Sequence, residues 1–403
     1  MNPLQKRCLI LGASTRAAAQ SALYAGYHPV CADLFADTDL CTIAERLPLQ
    51  NYPDNLVEQA TSISPISWMY TGALENSPEI IQAISKHHVL WGNNAEVVQA
   101  VRNPQKLYQV LKKHDLTALH LREFNHPPPA NSRWMLKPKR SAGGREVTVW
   151  NREAESYYAE SHNKDKLSTD YYFQQRAEGK NYSALYLASA TQTVLIGLSA
   201  QLVGCHWLNA DNFTWCGNVA PVLFSHQPEK HQKLAIQAEK AGNVIAKEFG
   251  LRGLFGIDFI LETPFLPSSF PQLFPLEVNP RYVASVELFE RAFDVSLLKW
   301  HIAACESFEQ SQQEEFVTTE NYSANFSAKA IQGKAILYAN CTFTFPLTIE
   351  RMPNCADIPS YGRLIQKNEP ICTVFATGKT IESCQKDLQE RSDEIYDALK
   401  IKE

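Results

Sequence analysis

Three polar side chains set in apolar runs have the types and spacing for metal chemistry: Asp258 in GIDFI, and Glu277 and Asn279 in LEVNPR. Alternation along a strand puts Glu277 and Asn279 on one face, and hairpin pairing of the two runs brings Asp258 beside them. Two carboxylates and an amide oxygen are hard ligands of the kind that suit Mg²⁺, which keeps waters and phosphate oxygens in the rest of its shell. A single carboxylate near a strand end is ordinarily a solvated edge or an ion-pair partner. Two of them in apolar strands would be costly without a counter-charge, which favours a bound cation. Arg281 follows Asn279 by two residues and offers a planar fork to a phosphate or a substrate carboxylate.

A second group lies upstream, where Leu136-Lys137-Pro138 is followed by Ser141-Ala142-Gly143-Gly144-Arg145. A lysine at a strand end neutralises phosphates as a point charge, and adjacent glycines let backbone N–H groups close over them as a lid. Alone, a Gly-Gly pair between strands is more often a plain turn. It gains weight from the carboxylate hairpin that follows. No Ser/His/Asp or Cys/His set demands a nucleophilic scheme.

These groups need elements to hold them. Residues 7–100 alternate short apolar runs (RCLILGA, HPVCADLF, SWMYTGAL, HHVLWGNN) with helical stretches such as Thr15–Ala25, the rhythm of a parallel sheet flanked by helices. The opening GASTRA lacks G-x-G-x-x-G spacing, which argues against a nicotinamide site and a dehydrogenase. From Asn103 the pattern changes to a helix over 104–114, a Pro-rich link over 125–131 and the strand that ends in the glycine pair. TDYYFQQRAEGKNYSALYLA reads as a further strand, a helix over 226–249 follows, and ETPFLPSSFPQ is expected to join the carboxylate hairpin. A polar stretch from Ser307 to Ser327 reads as a linker into a smaller unit with strands near KAILYANCTFTF and PICTVFATG and a last helix over 381–400.

The 403 residues suffice for two or three domains, and a formal charge of −5 without a basic stripe gives no footprint for nucleic acid. The apolar run before Gly12 is too short for a signal core or a membrane span. Ten cysteines without a C-x-x-C pair fit reduced thiols in the cytoplasm.

The order Lys106, LKPKRSAGGREV, YYFQQRAEGKNYS, GIDFI, LEVNPR resembles the ATP-grasp superfamily. RAAAQSALYAGYHPVCADLFADTDL, CGNVAP, EVNPRYVASVELFE and PSYGRLIQKNEPICTVFATG further resemble predicted ATP-dependent carboligases related to biotin carboxylase. The resemblance implies an α/β and α+β fold in three parts: a Rossmann-like domain over 1–102, a two-lobed ATP-grasp domain over 103–305 with its lid lobe at about 133–190, and a small C-terminal β-rich domain over 306–403. By position, Lys106 and Lys137 would contact phosphates and Ser141 to Gly144, with Gly143 between them, would form the lid. Gln174, Gln175 and Arg176 would be the hinge strand beside adenine, with Glu178 near the nucleotide's polar groups. Asp258, Glu277 and Asn279 would hold one or two Mg²⁺ ions, or Mn²⁺ in their place, and Arg281 would steady the transferred phosphoryl group.

The chain departs from the superfamily pattern in three places. Gln175 stands where the hinge often carries an acid, and Lys180 and Asn181 replace the usual acid after the hinge glycine. After NPR the chain runs YVASVELFE, without the biotin-carboxylase lysine and glutamate, so bicarbonate is not carried over. Ser285 and Glu287 are candidates for the acceptor side, with a helix cap and a first-turn acid as equal readings. The implied activity is an ATP- and Mg²⁺-dependent carboxylate–amine ligase acting on small molecules through an acylphosphate, in pterin-type or furan-type one-carbon cofactor assembly with a glutamate-like amine donor. The alternatives are an ATP-dependent carboxylase, an acylphosphate-forming kinase and a non-catalytic ATP-binding sensor. A homodimer is compatible with the helices of the first domain, and neither nucleic acid nor membrane is expected as a partner.

Overall fold

The run Arg7–Gly12 is buried beyond its first residue because it is the middle strand of a parallel sheet. Its neighbours are His28–Asp33 and Ser67–Tyr70, with Glu45–Arg46 and Val89–Leu90 at the edges. Successive side chains feed different cores: Cys8 and Ile10 pack toward the helix Arg16–Tyr24, and Leu9 and Leu11 pack with Leu56, Trp68 and Ile81. Burial on both faces explains why this strand is continuously apolar rather than alternating. The computed structural model describes residues 6–160, 164–222, 228–262, 271–310, 328–346 and 353–401. Most of the expected joining segment ETPFLPSSFPQ and of the linker 307–327 lies outside them.

The helix Pro104–Lys113 leads into a four-stranded antiparallel sheet in the order Leu121–Glu123, Tyr171–Gln175, Asn131–Pro138, Thr148–Asn151. Leu136, Trp150 and Phe173 form its core, with Phe124 stacked on Phe173 at 5.9 Å. The expected strand TDYYFQQRAEGKNYSALYLA is in fact two. Tyr171–Gln175 belongs to this small sheet, whereas Gly179–Ala188 belongs to a larger one, and the chain crosses between them at residues 176–178.

The larger sheet has eight antiparallel strands: Leu273–Asn279, Gly253–Glu262, Gly179–Ala188, Thr193–Val203, Trp215–Ala220, Ile331–Tyr338, Pro370–Gly378 and Cys355–Ala356. Helix Pro228–Phe249 backs it, tied by the Tyr186 hydroxyl donating to the Ala238 carbonyl at 2.8 Å. The last three strands come from beyond residue 305, so the C-terminal part extends the central sheet, and it also forms a two-stranded sheet from Phe343–Thr344 and Leu364–Ile365. Its closing helix Ile381–Leu399 starts at a capping box on Thr380 and buries Cys384, Leu388 and Ile395. Among the described residues no helix is long and apolar enough to cross a membrane, and none of the ten cysteines is in a disulfide.

Candidate active site

The two sheets face each other across a cavity of about 250 Å³. Its floor comes from the antiparallel register of the large sheet, which sets Asp258 opposite Glu277. Asp258 accepts from Gln201 Nε2 at 2.9 Å and from Asn279 Nδ2 at 3.0 Å. Burial, reinforced by the neighbouring Glu277 carboxylate, pushes the Asp258 carboxyl up to about 8. The Glu277 side chain is 43% exposed and faces Arg102 at 4.0 Å, an ion pair too long and wet to neutralise it.

The opposite wall carries Lys137, whose Nζ donates to Gln174 Oε1 at 3.1 Å. Burial alone would lower this amine, but Tyr172, Glu277 and Asp258 hold it above its ordinary value. Ser141, Gly143 and Gly144 close the mouth. Gly144 has φ +79°, and a Cβ there would run into the Phe213 carbonyl, so the position admits glycine alone. Gly143 accepts from the Trp215 backbone N–H at 3.0 Å, which docks the loop on the large sheet.

Arg281 lines the cavity from the far end of the Leu273–Asn279 strand. Its Nη2 meets Glu75 Oε1 of the first domain at 2.8 Å and Asn279 Oδ1 at 3.4 Å, and its Nη1 donates to the Tyr282 carbonyl at 3.3 Å. Burial would lower it, yet Glu75 holds it fully cationic, and Glu75 in turn is held below its ordinary value against the opposing pull of burial. The guanidinium lies against Gly72, where a Cβ would come within 2.9 Å of Nη2.

The cavity therefore brings together Lys137, Ser141, Gly143, Gly144, Asp258, Glu277, Asn279 and Arg281, with Gln174 touching it through Lys137. It does not bring in the others. Lys106 is exposed on its helix, with its backbone N–H on the Asn103 cap. Gln175 takes the His120 backbone N–H at 3.3 Å, Arg176 is exposed with its Nη1 at 3.5 Å from the Ser132 carbonyl, and Glu178 is exposed. The two acceptor-side candidates separate as well. Ser285 is buried and lines the cavity without capping its helix, whereas Glu287 is sequestered by Arg16 and Lys334.

Sequence reasoning missed a polar ladder on the floor: the Ser183 and Ser199 hydroxyls lie 2.9 Å apart, and Asn218 Nδ2 donates to Ser199 Oγ at 2.9 Å. The signal was present as Ser199 and Gln201 in the otherwise apolar TVLIGLSAQLV. It also missed Arg102, Glu75 and Asn76, whose roles depend on contacts across the fold that no local pattern announces.

The donor set fits a divalent cation of the Mg²⁺ type. Two carboxylates lie opposite each other on the floor, Asp258 being raised chiefly by its burial and then by Glu277, and Asn279 adds an amide oxygen. Among the described residues no group of three or more His, Cys, Asp or Glu is placed to hold an ion.

A strand-end lysine, a glycine loop over it and a carboxylate–amide hairpin, clamped between two antiparallel sheets, define the ATP-grasp class. Residues 101–285 match the family model of the ATP-grasp domain. Over 392 residues it is 22% identical to an uncharacterised protein of Methanocaldococcus jannaschii, covering 92% of this chain and 88% of the relative. The fold is shared with the biotin carboxylase domain of Hydrogenobacter thermophilus 2-oxoglutarate carboxylase, solved with MgADP and bicarbonate, at a TM-score of 0.70, 14% identity and coverage of 95% of this chain and 88% of that one. It is shared also with L-amino acid ligase from Bacillus licheniformis (TM-score 0.67, 13% identity, coverage 96% and 97%). N5-carboxyaminoimidazole synthetase from Staphylococcus aureus, complexed with ADP, is similar as well (TM-score 0.66, 14% identity, coverage 97% and 99%).

Proposed function

We propose that the cavity binds ATP with Mg²⁺ and that the chain joins a small carboxylic acid to an amine. The γ-phosphoryl group passes to a carboxylate oxygen of the acid with ADP leaving. The amine nitrogen then attacks the acyl carbon, phosphate departs with that oxygen, and the nitrogen loses a proton, giving an amide. The observation that carries this reading is the convergence of Lys137, Arg281, Asp258, Glu277 and Asn279 on one cavity with the glycine loop at its mouth. Mg²⁺ held by Asp258, Glu277 and Asn279 would neutralise charge on the phosphate oxygens.

The chain's own residues account for the remainder. Lys137, kept charged by the acids opposite, offsets charge on the phosphate chain, and the fixed fork of Arg281 steadies the group in transfer. The docked 141–144 loop keeps out water that would hydrolyse the acylphosphate. Its resting place against Phe213 and Trp215 supports that role. Ten cysteines outside any disulfide favour a cytoplasmic setting.

The test is ADP formation with Mg²⁺ and ATP across a panel of small carboxylic acids, each alone, with hydroxylamine, and with glutamate or other amines. One acid should raise ADP formation, yield a hydroxamate with hydroxylamine and an amide with its amine. Turnover on bicarbonate alone would point instead to carboxylation, and ATP binding without turnover in any mixture would point to a sensor.

A further inference from the structure

The 3₁₀ turn Leu74–Asn76 leaves the first domain's parallel sheet and reaches the nucleotide cavity at two points through consecutive residues. Glu75, 3% exposed, pairs with Arg281. Asn76 turns to the glycine loop: its Nδ2 donates to the Ser141 carbonyl at 3.2 Å, and its Oδ1 accepts from Arg102 Nη2 at 2.9 Å. Arg102 closes the triangle by donating to the same Ser141 carbonyl at 3.1 Å, while its other nitrogen faces Glu277.

A carbonyl that accepts from two side chains, one of them charged, is fixed more firmly than a loop carbonyl facing water. Ser141 is also where the loop starts, three residues before the glycine that admits no side chain. The loop is thus pinned at its beginning by the first domain and at Gly143 by the Trp215 backbone. We propose that Asn76, acting with Arg102, is a positioning residue for the phosphate loop. Through Glu75 and Asn76 together, the one turn contacts both the loop and Arg281.

The positioning role rests on the nucleotide reading of the cavity, but the loop's anchoring is measurable without nucleotide. Limited trypsin digestion of the full chain reports on it, because Arg140 and Arg145 flank the loop and are exposed. Mass spectrometry follows cleavage after these two residues against cleavage elsewhere. In Asn76→Ala the two cuts should accelerate on the order of fivefold or more, with other sites and the melting temperature unchanged. Asn76→Asp keeps the acceptor for Arg102, loses the donor to Ser141 and should fall between. With a fluorescent ADP analogue bound, the dissociation rate should rise in the same order.

Unchanged loop cleavage in folded Asn76→Ala, or acceleration spread equally over all sites, would overturn the proposal. Should Asn76→Ala not fold, Arg102→Lys keeps the charge and loses the fork, and an unaltered loop in that variant overturns it equally. Failure of the analogue to bind wild-type protein would sink the ATP reading while leaving the digestion result to stand or fall by itself.

Discussion

Two acid–base clusters flank the short stretch Asn279–Glu287, and they differ in how their charge is balanced. In the cavity, Asp258 is pushed up to about 8 by burial and by Glu277. Between the first helix and the C-terminal strands, Glu287 is buried at 4% exposed, yet Arg16 and Lys334 overcome the cost of burial and hold it down at about 2. Arg16 Nη1 and Nη2 grip Glu287, its Nε and Nη2 reach Asp357 at 2.9 and 3.2 Å, and Lys334 Nζ lies 3.4 Å from Glu287. Desolvation acts in both clusters, but only around Glu287 does counter-charge outweigh it. The balanced cluster ties the first helix, the helix Val286–Phe293 and the C-terminal strands together. In the cavity, Lys137 and Arg281 lie near the two carboxylates yet do not offset the burial of Asp258, and a carboxylate raised in this way is a candidate for binding a cation.

Removing a partner from the balanced cluster gives the largest expected effect. Glu287→Ala takes from Arg16 and Lys334 the buried carboxylate they share and should cost about 3–5 kcal/mol in urea unfolding. Asp258→Asn, which swaps a mostly protonated acid for a neutral group of the same shape, should change stability by less than about 1 kcal/mol at neutral pH. Equal losses in the two variants would break the comparison. The signs follow from linkage. Glu287 is depressed from 4.5, so its contribution is present above that value and disappears as the pH falls toward about 2. Asp258 is raised from 3.8, so its ionisation costs the folded chain stability as the pH rises toward about 8.

A smaller effect sharpens the same contrast. Binding of MgADP at pH 7 should expel a fraction of a proton from Asp258, since a divalent cation lowers its pKa. Calorimetry in buffers of different ionisation enthalpy would show a buffer-dependent heat that fades above pH 9 and is missing in Asp258→Asn. A heat independent of buffer in the wild type would mean that the carboxylate is already ionised in the free chain.

Sequence reasoning reached the cavity because its makers are local. Glu277 and Asn279 share a strand face by alternation, Lys137 precedes its glycines by a few residues, and hairpin register brings Asp258 opposite Glu277. The parallel first domain was legible from its alternation of apolar runs and helices. The break at residues 176–178 was not, since two strands of like composition abut there and only the sheets they join tell them apart. The continuation of the central sheet by strands beyond residue 305 was hidden for the same reason: an edge left open by Trp215–Ala220 selects its partner by three-dimensional fit. Glu287 looked like a first-turn acid because its partners, Arg16 and Lys334, lie far away along the chain.

The most direct test of the account is the rate of ADP formation by Glu277→Gln, measured with the acid and amine that stimulate the wild type and with its unfolding midpoint determined in parallel. The account predicts a folded protein of near-wild-type stability whose ADP formation falls by on the order of a thousandfold. Turnover within a few fold of the wild type would contradict it, because the cavity carboxylates would then have no part in the chemistry.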